Sequence, residues 1–398
     1  MASMLQPLLF DAVIFDLDGT LVATDRYWIP AARSATRRAL EEFGLELTIP
    51  ETRAWLRIVG LPLDEGLASL FPSFDADQIQ KLASYCLEEE QALVSSDGAA
   101  MLPGVREALD ELQAAGIKIG IASNCGASYI EHVASSLGLA KWASEMRCLD
   151  SAGIRDKGDM IADLLLSFDT RRAVMVGDRF GDEQSARSNA LPHIHVRTGY
   201  ADVEEGATAD LVLEDLSELS NGLRRRADRL SDVLDELGLN GQTSILGITG
   251  RRCSGKTFLA KDLAQLLNAR GRATRVIALE DFRRTDNSVD GDSLGEGYDL
   301  DRLLADCIEP HRAGETGELL ILEGSYLLDP RIATQLTRLL YLEVSREVAM
   351  FRFAGRDVRL RGPMALEQAR EDLLAEERFE SRFAPSRADL ILSGASIF

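Results

Sequence analysis

Short apolar runs alternate with longer amphipathic stretches along nearly the whole chain. Runs at 12–15, 117–122, 173–176 and 211–213 have the length and composition of buried strands. A second set follows at 245–248, 275–278, 319–322 and 339–342. Strands separated in this way by helical pattern predict the α/β class, with two Rossmann-like parallel-sheet domains. Residues 22–100 break the rhythm. They read as mostly helical, interrupted at Gly44, Pro50, Gly60-Leu61-Pro62 and Phe71-Pro72. Lying between the first strand and the next, they predict an inserted helical cap that could close over a site and exclude water. Residues 216–239, rich in Leu, Arg, Asp and Glu at helical spacing, predict a closing or connecting helix, with Asn240-Gly241 as a break. The expected domains are therefore 1–222 (cap about 22–100), a helical connector at 223–241, and 242–398.

Composition narrows the class. At 398 residues, with 45% hydrophobic and 27% charged residues, the chain suits a globular protein of more than one core. The first ten residues lack the charge and length of a signal peptide, and no apolar run reaches the roughly 18 residues of a membrane span. Five scattered cysteines form no Cys-x-x-Cys pair, which predicts a reduced, cytoplasmic setting without structural zinc. The formal charge of −21 is uneven: residues 1–240 hold 22 Lys+Arg against 40 Asp+Glu, and 241–398 hold 22 against 25. Such acidity in the first part disfavours a nucleic-acid partner, whose binding rests on phosphate neutralisation. His193 and His195 alternate at a strand end, a spacing that reads as structural and not as a metal site.

Candidate chemistry in the first part sits at strand ends, where open α/β sheets bind ligands. The run Val13-Ile14-Phe15 delivers Asp16 and Asp18, Ile119–Ala122 delivers Ser123 and Asn124, and Val174–Gly177 delivers Asp178, with Asp182 four residues on. Lys157 lies between the last two. This combination resembles the haloacid dehalogenase superfamily of phosphotransferases over roughly residues 8–222. Residues 209–216 are similar to the closing strand of its phosphoglycolate-phosphatase-like branch. The resemblance implies Asp16 as a nucleophile that becomes phosphorylated, and Asp18 as the acid that protonates the leaving alcohol and then activates water. It implies Mg²⁺ held by Asp16, the Asp18 carbonyl and Asp178, with Asp182 orienting the metal shell or Lys157. Ser123 and Lys157 would bind phosphoryl oxygens. No proline follows Lys157, and Arg155 competes for its role.

The second part carries Gly250-Arg251-Arg252-Cys253-Ser254-Gly255-Lys256-Thr257 between a predicted strand and a predicted helix. Glycines let backbone N–H groups face phosphates, and the helix start adds a favourable dipole. This is the P-loop pattern for ATP, with Lys256 reaching the β- and γ-phosphates and Thr257 ligating Mg²⁺. Downstream, Glu280-Asp281-Phe282 and Glu323-Gly324 end strands in acids, and Arg346, Arg352, Arg356, Arg359 and Arg361 cluster. Together with Gly297–Asp301, these segments resemble uridine kinase and its small-molecule kinase relatives, over about residues 243–398. The resemblance implies a P-loop kinase fold, Glu323 on the metal side, and Arg352, Arg356 and Arg361 near the phosphates. Either Glu280 or Asp281 would orient the acceptor hydroxyl and take its proton. Arg283 and Arg284 are candidates for an anionic acceptor.

The combined expectation is a bifunctional enzyme with Mg²⁺ and ATP as cofactors. One site would cleave a small-molecule phosphate ester, and the other would phosphorylate a nucleoside- or sugar-like hydroxyl. Polynucleotide kinase-phosphatases pair these fold types, which makes nucleic-acid end repair the alternative. A sugar-phosphate mutase and a nucleotide-sensing regulator are the remaining readings.

Overall fold

The computed structural model describes residues 6–97, 99–198, 200–202, 204–239, 244–284, 297–314, 317–355, 362, 364–383 and 385–394. By packing, the chain divides into Phe10–Gly222 and a second unit made of Met1–Leu9 with Leu223–Phe398.

In Phe10–Gly222, the four residues of β1 (Ala12–Phe15) are all buried because strands flank them on both sides. The sheet contains β2 (Lys118–Ala122), β3 (Glu145–Arg147), β4 (Ala173–Gly177), β5 (His193–Val196) and β6 (Leu211–Leu213). Its order is β3-β2-β1-β4-β5-β6, and every pairing is parallel. Register places Phe15 beside Ile121 and Val176, so the ends of β1, β2 and β4 emerge together. The apolar alternation of these strands buries Ala12, Ile14 and Met175 against Met160, Ile161, Leu164 and Phe168. Between β1 and β2 lie four cap helices, Asp25–Phe43, Thr52–Ile58, Leu63–Leu70 and Ala76–Asp97. The first and last pack along each other. Trp55 is buried edge-on against Trp28 and tilted against Phe71, which gives the cap its own aromatic centre.

The second unit holds a five-stranded parallel sheet: β7 (Ile245–Gly250), β8 (Thr274–Ala278), β9 (Leu319–Glu323), β10 (Arg338–Glu343) and β11 (Leu390–Ser393). Its order is β11-β10-β7-β9-β8, with the fully buried β7 in the middle. One face packs on helix Lys256–Ala269 and on the apolar stripe of helix Leu219–Leu237, through Ala227, Leu230, Val233 and Leu234. Arg226 and Asp262 join those two helices in a buried pair, Nε to Oδ2 2.8 Å. The segment expected to be a connector is thus packed into this unit from Leu223 onward. Leu9 lies in the same core.

Candidate active sites

The β1 end carries Asp16, fully buried, and Asp18, nearly so. Gly19 turns the chain there with φ +78°; a Cβ would come within 2.4 Å of Tyr200 and 2.7 Å of Asp178 Oδ2. Ser123 follows β2, and Asp178 follows β4. Helix Phe180–Arg187 then presents Asp182, whose carboxylate accepts the Arg179 N–H at 3.0 Å. Helix Lys157–Ser167, capped by Asp156, begins with Lys157 pointing inward. Lys157 Nζ donates to Asp16 Oδ1 at 2.8 Å and to Asp182 Oδ1 at 2.6 Å. Arg155 is exposed and bonds Asp159 instead, so the geometry brings Lys157 and not Arg155 to the aspartates.

Asp16, Asp178 and Asp182 each offer an oxygen within 4.8 Å of the others. Asp16 Oδ2 and Asp178 Oδ2 are buried with no hydrogen-bond partner among the described residues. Two orphaned carboxylate oxygens in one crowded group are what a hard divalent cation would satisfy, so these residues fit Mg²⁺. Burial, and then the neighbouring carboxylates, push Asp16 up to about 7 despite Lys157. Asp178 is raised well above the usual carboxylate range by burial, with Asp16 and Asp182 adding to it. Burial works against the Lys157 charge, but Asp16 and Asp182 outweigh it and hold the ammonium above its ordinary range.

Asp18 stands apart from that cluster. Its Oδ1 accepts from Thr24 Oγ1 at 2.7 Å and from the Tyr129 hydroxyl, and its Oδ2 faces Ser123 Oγ at 3.4 Å. Burial raises its pKa in spite of these donors. The cap meets the site through Asn124 Nδ2, which donates to the Gly60 carbonyl at 3.0 Å. Arg179 does the same, donating to the carbonyls of Leu56 (2.7 Å) and Val59 (2.9 Å). Sequence reading missed Thr24, Tyr27, Tyr129 and Arg179. Arg179 lay inside a recognised acidic segment, but nothing in the chain's pattern marked the tyrosines.

In the second unit, Gly250–Thr257 forms a loop from β7 into helix Lys256–Ala269. Gly250 has φ +144°, and a Cβ there would sit 2.3 Å from the Leu342 carbonyl. Cys253, at φ +60°, is a strained non-glycine turn residue, so its backbone is what shapes the loop. Lys256 Nζ donates to the carbonyls of Gly250 (2.9 Å) and Arg251 (2.7 Å), and burial lowers its pKa. Thr257 Oγ1 donates to Glu323 Oε1 at 2.8 Å, which brings the two expected metal-side residues together. Burial raises Glu323, with Thr257 and Lys256 opposing. Ser254 Oγ is buried without a partner among the described residues, a donor suited to an anion in the loop.

The loop arginines are engaged by helix Met364–Arg382. Arg251 Nε donates to Glu380 at 3.0 Å, and Arg252 Nη1 lies 2.8 Å from Asp372. The Arg252 backbone N–H donates to Glu376 Oε2 at 2.7 Å. Arg352 donates to the Gly394 carbonyl at 2.8 Å and the Cys253 carbonyl at 3.3 Å, bracing the loop. Arg346 lies 3.8 Å from Glu377. Glu280 accepts from Tyr298 at 3.0 Å and pairs with Arg283 at 3.1 Å, while Asp281 lends its carbonyl to Arg302. Both carboxylates are exposed and near enough to raise Glu323. Arg356, Arg359 and Arg361 lie outside the described residues.

Residues 13–196 match the haloacid dehalogenase-like hydrolase family. The chain is 29% identical over 207 residues to a phosphoglycolate phosphatase of Caulobacter vibrioides, covering 50% of this chain and 85% of that protein. It is 28% identical over 224 residues to an N-acetylmuramic acid 6-phosphate phosphatase of Pseudomonas aeruginosa, covering 54% and 95%. A phosphorylated carbohydrates phosphatase of Thermotoga maritima is 34% identical over 114 residues, covering 29% of this chain and half of that protein. These matches support a haloacid-dehalogenase-type phosphatase domain in the N-terminal half of this chain.

Proposed function

We propose that the chain is a bifunctional enzyme: a Mg²⁺-dependent phosphatase of small phosphate monoesters, joined to an ATP-dependent kinase of a small-molecule hydroxyl. The observation that carries the phosphatase half is Lys157 bridging Asp16 and Asp182 beside two unpartnered buried carboxylate oxygens. Asp16 attacks phosphorus, forming an aspartyl-phosphate as the ester P–O bond breaks. The Asp18 proton passes to the leaving oxygen, and the resulting Asp18 carboxylate then takes a proton from the water that attacks phosphorus. Inorganic phosphate leaves and Asp16 is restored. Lys157 and Ser123 hold phosphoryl oxygens throughout. Bound Mg²⁺ would supply positive charge against the crowded carboxylates and the phosphoryl group. Relatives named for phosphoglycolate, phosphorylated carbohydrates and a phosphorylated amino sugar acid support a small ester as substrate.

The kinase half rests on the complete Gly-x-x-x-x-Gly-Lys-Thr loop and on the Thr257–Glu323 contact. Lys256 would leave its carbonyl partners for the nucleotide phosphates, and Glu280 or Asp281 would orient the acceptor hydroxyl. The test is label transfer from γ-labelled ATP by the Asp16→Asn variant, with Lys256→Ala as the blank. Nucleosides, sugars and a 5′-hydroxyl oligonucleotide serve as acceptors. Label on a nucleoside or sugar is expected; label mainly on the oligonucleotide would replace this reading with end repair.

A further inference from the structure

Asp18 has more hydrogen bonds than an acid catalyst needs, and their arrangement is lopsided. Oδ1 takes both the Thr24 hydroxyl at 2.7 Å and the Tyr129 hydroxyl, while Oδ2 has only the long 3.4 Å contact with Ser123. A carboxyl proton does not sit on an oxygen that already accepts two donors. The transferable proton of Asp18 is therefore on Oδ2. Tyr129 has one hydroxyl proton, and it is committed to Asp18. Its 2.5 Å contact with the Tyr27 hydroxyl must then have Tyr27 donating. The result is a directed chain, Tyr27 to Tyr129 to Asp18.

The two tyrosines belong to different layers. Tyr27 is buried on the first cap helix, Asp25–Phe43, and Tyr129 stands on helix Ala127–Leu137, which follows β2. Cap helix Ala76–Asp97 packs against Ala127–Leu137.

We propose that Tyr129 is a positioning residue for Asp18, fixing which carboxyl oxygen carries the proton, and that Tyr27 makes this orientation depend on a seated cap. The proposal rests on the phosphatase reading above. In the step concerned, Asp16 forms a bond to phosphorus, the P–O bond to the alcohol breaks, and the Oδ2 proton of Asp18 goes to the departing oxygen. No proton leaves either tyrosine.

An alkyl phosphate needs that proton because an alkoxide is a poor leaving group, whereas p-nitrophenolate departs without it. The experiment compares kcat/KM, which reports steps up to aspartyl-phosphate formation, for β-glycerol phosphate and p-nitrophenyl phosphate. Proteins are the full chain, Tyr129→Phe, Tyr27→Phe and the Asp16→Asn blank, all with Mg²⁺. Tyr129→Phe is expected to lower the alkyl value roughly 10- to 100-fold, as expected for a misplaced general acid. The aryl value should fall less than about threefold. Tyr27→Phe should shift the ratio in the same direction by less. Partial unfolding scales both substrates equally, so the ratio is blind to it. Equal losses on the two esters, or no loss on either, would overturn the proposal. Absence of Asp16-dependent turnover in the unaltered chain would instead defeat the phosphatase reading, and the Tyr129 role with it.

Discussion

Replacing Lys157 with methionine removes a cation that bonds both Asp16 and Asp182, and it does so where all three side chains are buried. Breaking a buried ion pair by deleting one partner costs about 3–5 kcal/mol, because the remaining charges have neither water nor a counterion. For a domain the size of Phe10–Gly222, each kcal/mol moves the transition by roughly 2–4 °C, so Tm should fall by about 6–20 °C in EDTA at pH 8. The sign of the pH dependence follows from Asp16. Its native pKa of about 7 lies above the ordinary 3.8, so the native state binds the extra proton between those values. Stability contributed by this group is present at low pH and is lost as pH rises through about 7. Without Lys157 the native value climbs further, so the penalty is greatest at pH 8 and shrinks by pH 5.5. Mg²⁺ should recover part of the loss at pH 8 by binding the folded state. The assay is thermal denaturation followed by circular dichroism, at both pH values, with EDTA or Mg²⁺. Arg155→Met is the control, since Arg155 is exposed and bonds the neighbouring Asp159, and should move Tm by less than about 2 °C. An unchanged Tm for Lys157→Met, or an equal drop at both pH values, would refute the charge argument.

Asp178→Asn should abolish Mg²⁺-stimulated hydrolysis of p-nitrophenyl phosphate, and a metal titration that still saturates with normal turnover would remove Asp178 from the site. Lys256→Ala should eliminate label transfer from ATP while leaving Asp16-dependent phosphatase turnover within about twofold; parallel loss of both would argue against separate sites. Burial pushes His193 down to about 4, and both its ring nitrogens are buried without partners among the described residues. Because that value lies below the ordinary one, the unfolded chain binds the proton first. The stability contributed by this group falls as pH drops from about 6.5 to about 4, by up to about 3 kcal/mol. Asp16 opposes this slope over the same range, so the readout is the difference from His193→Leu: in urea unfolding the variant should gain about 2 kcal/mol relative to the unaltered chain between pH 7 and pH 5, and no relative gain would refute the reasoning.

Which parts could be read from the chain follows from what burial does to composition. Strands β1, β4, β7, β9 and β10 are covered on both faces, so they are continuous apolar runs and were found almost residue for residue. Strand β3 lies at a sheet edge, where Glu145 and Arg147 suffice and no apolar run marks it; β11, at the edge of the other sheet, does carry the short run Leu390-Ile391-Leu392, which the sequence reading passed over. β5 was obscured because His193 and His195 occupy buried positions that a strand pattern reserves for aliphatics. The Asp16, Asp18, Ser123 and Asp178 grouping was legible because each lies just past a strand, and parallel register gathers strand ends; Asp182 came with the Asp178 segment. The choice between Lys157 and Arg155 was not, since a two-residue offset at a helix start decides which side chain enters the core. Tyr27 and Tyr129 meet only through folding of the cap, and no local pattern encodes that meeting.

Helix Met364–Arg382 gives the Gly250–Thr257 loop an unusual starting condition. Glu376 already holds the Arg252 amide, while Asp372 and Glu380 already neutralise Arg252 and Arg251. If the loop takes a nucleotide as proposed, the polyanion would not meet bare positive charge; it would trade places with carboxylates of the same chain. Binding would become an exchange of one anion for another, in which the released acids would have to find water as the phosphates give it up. Such an exchange displaces few free counterions, so its affinity should vary with ionic strength far less than that of a loop whose arginines stand open.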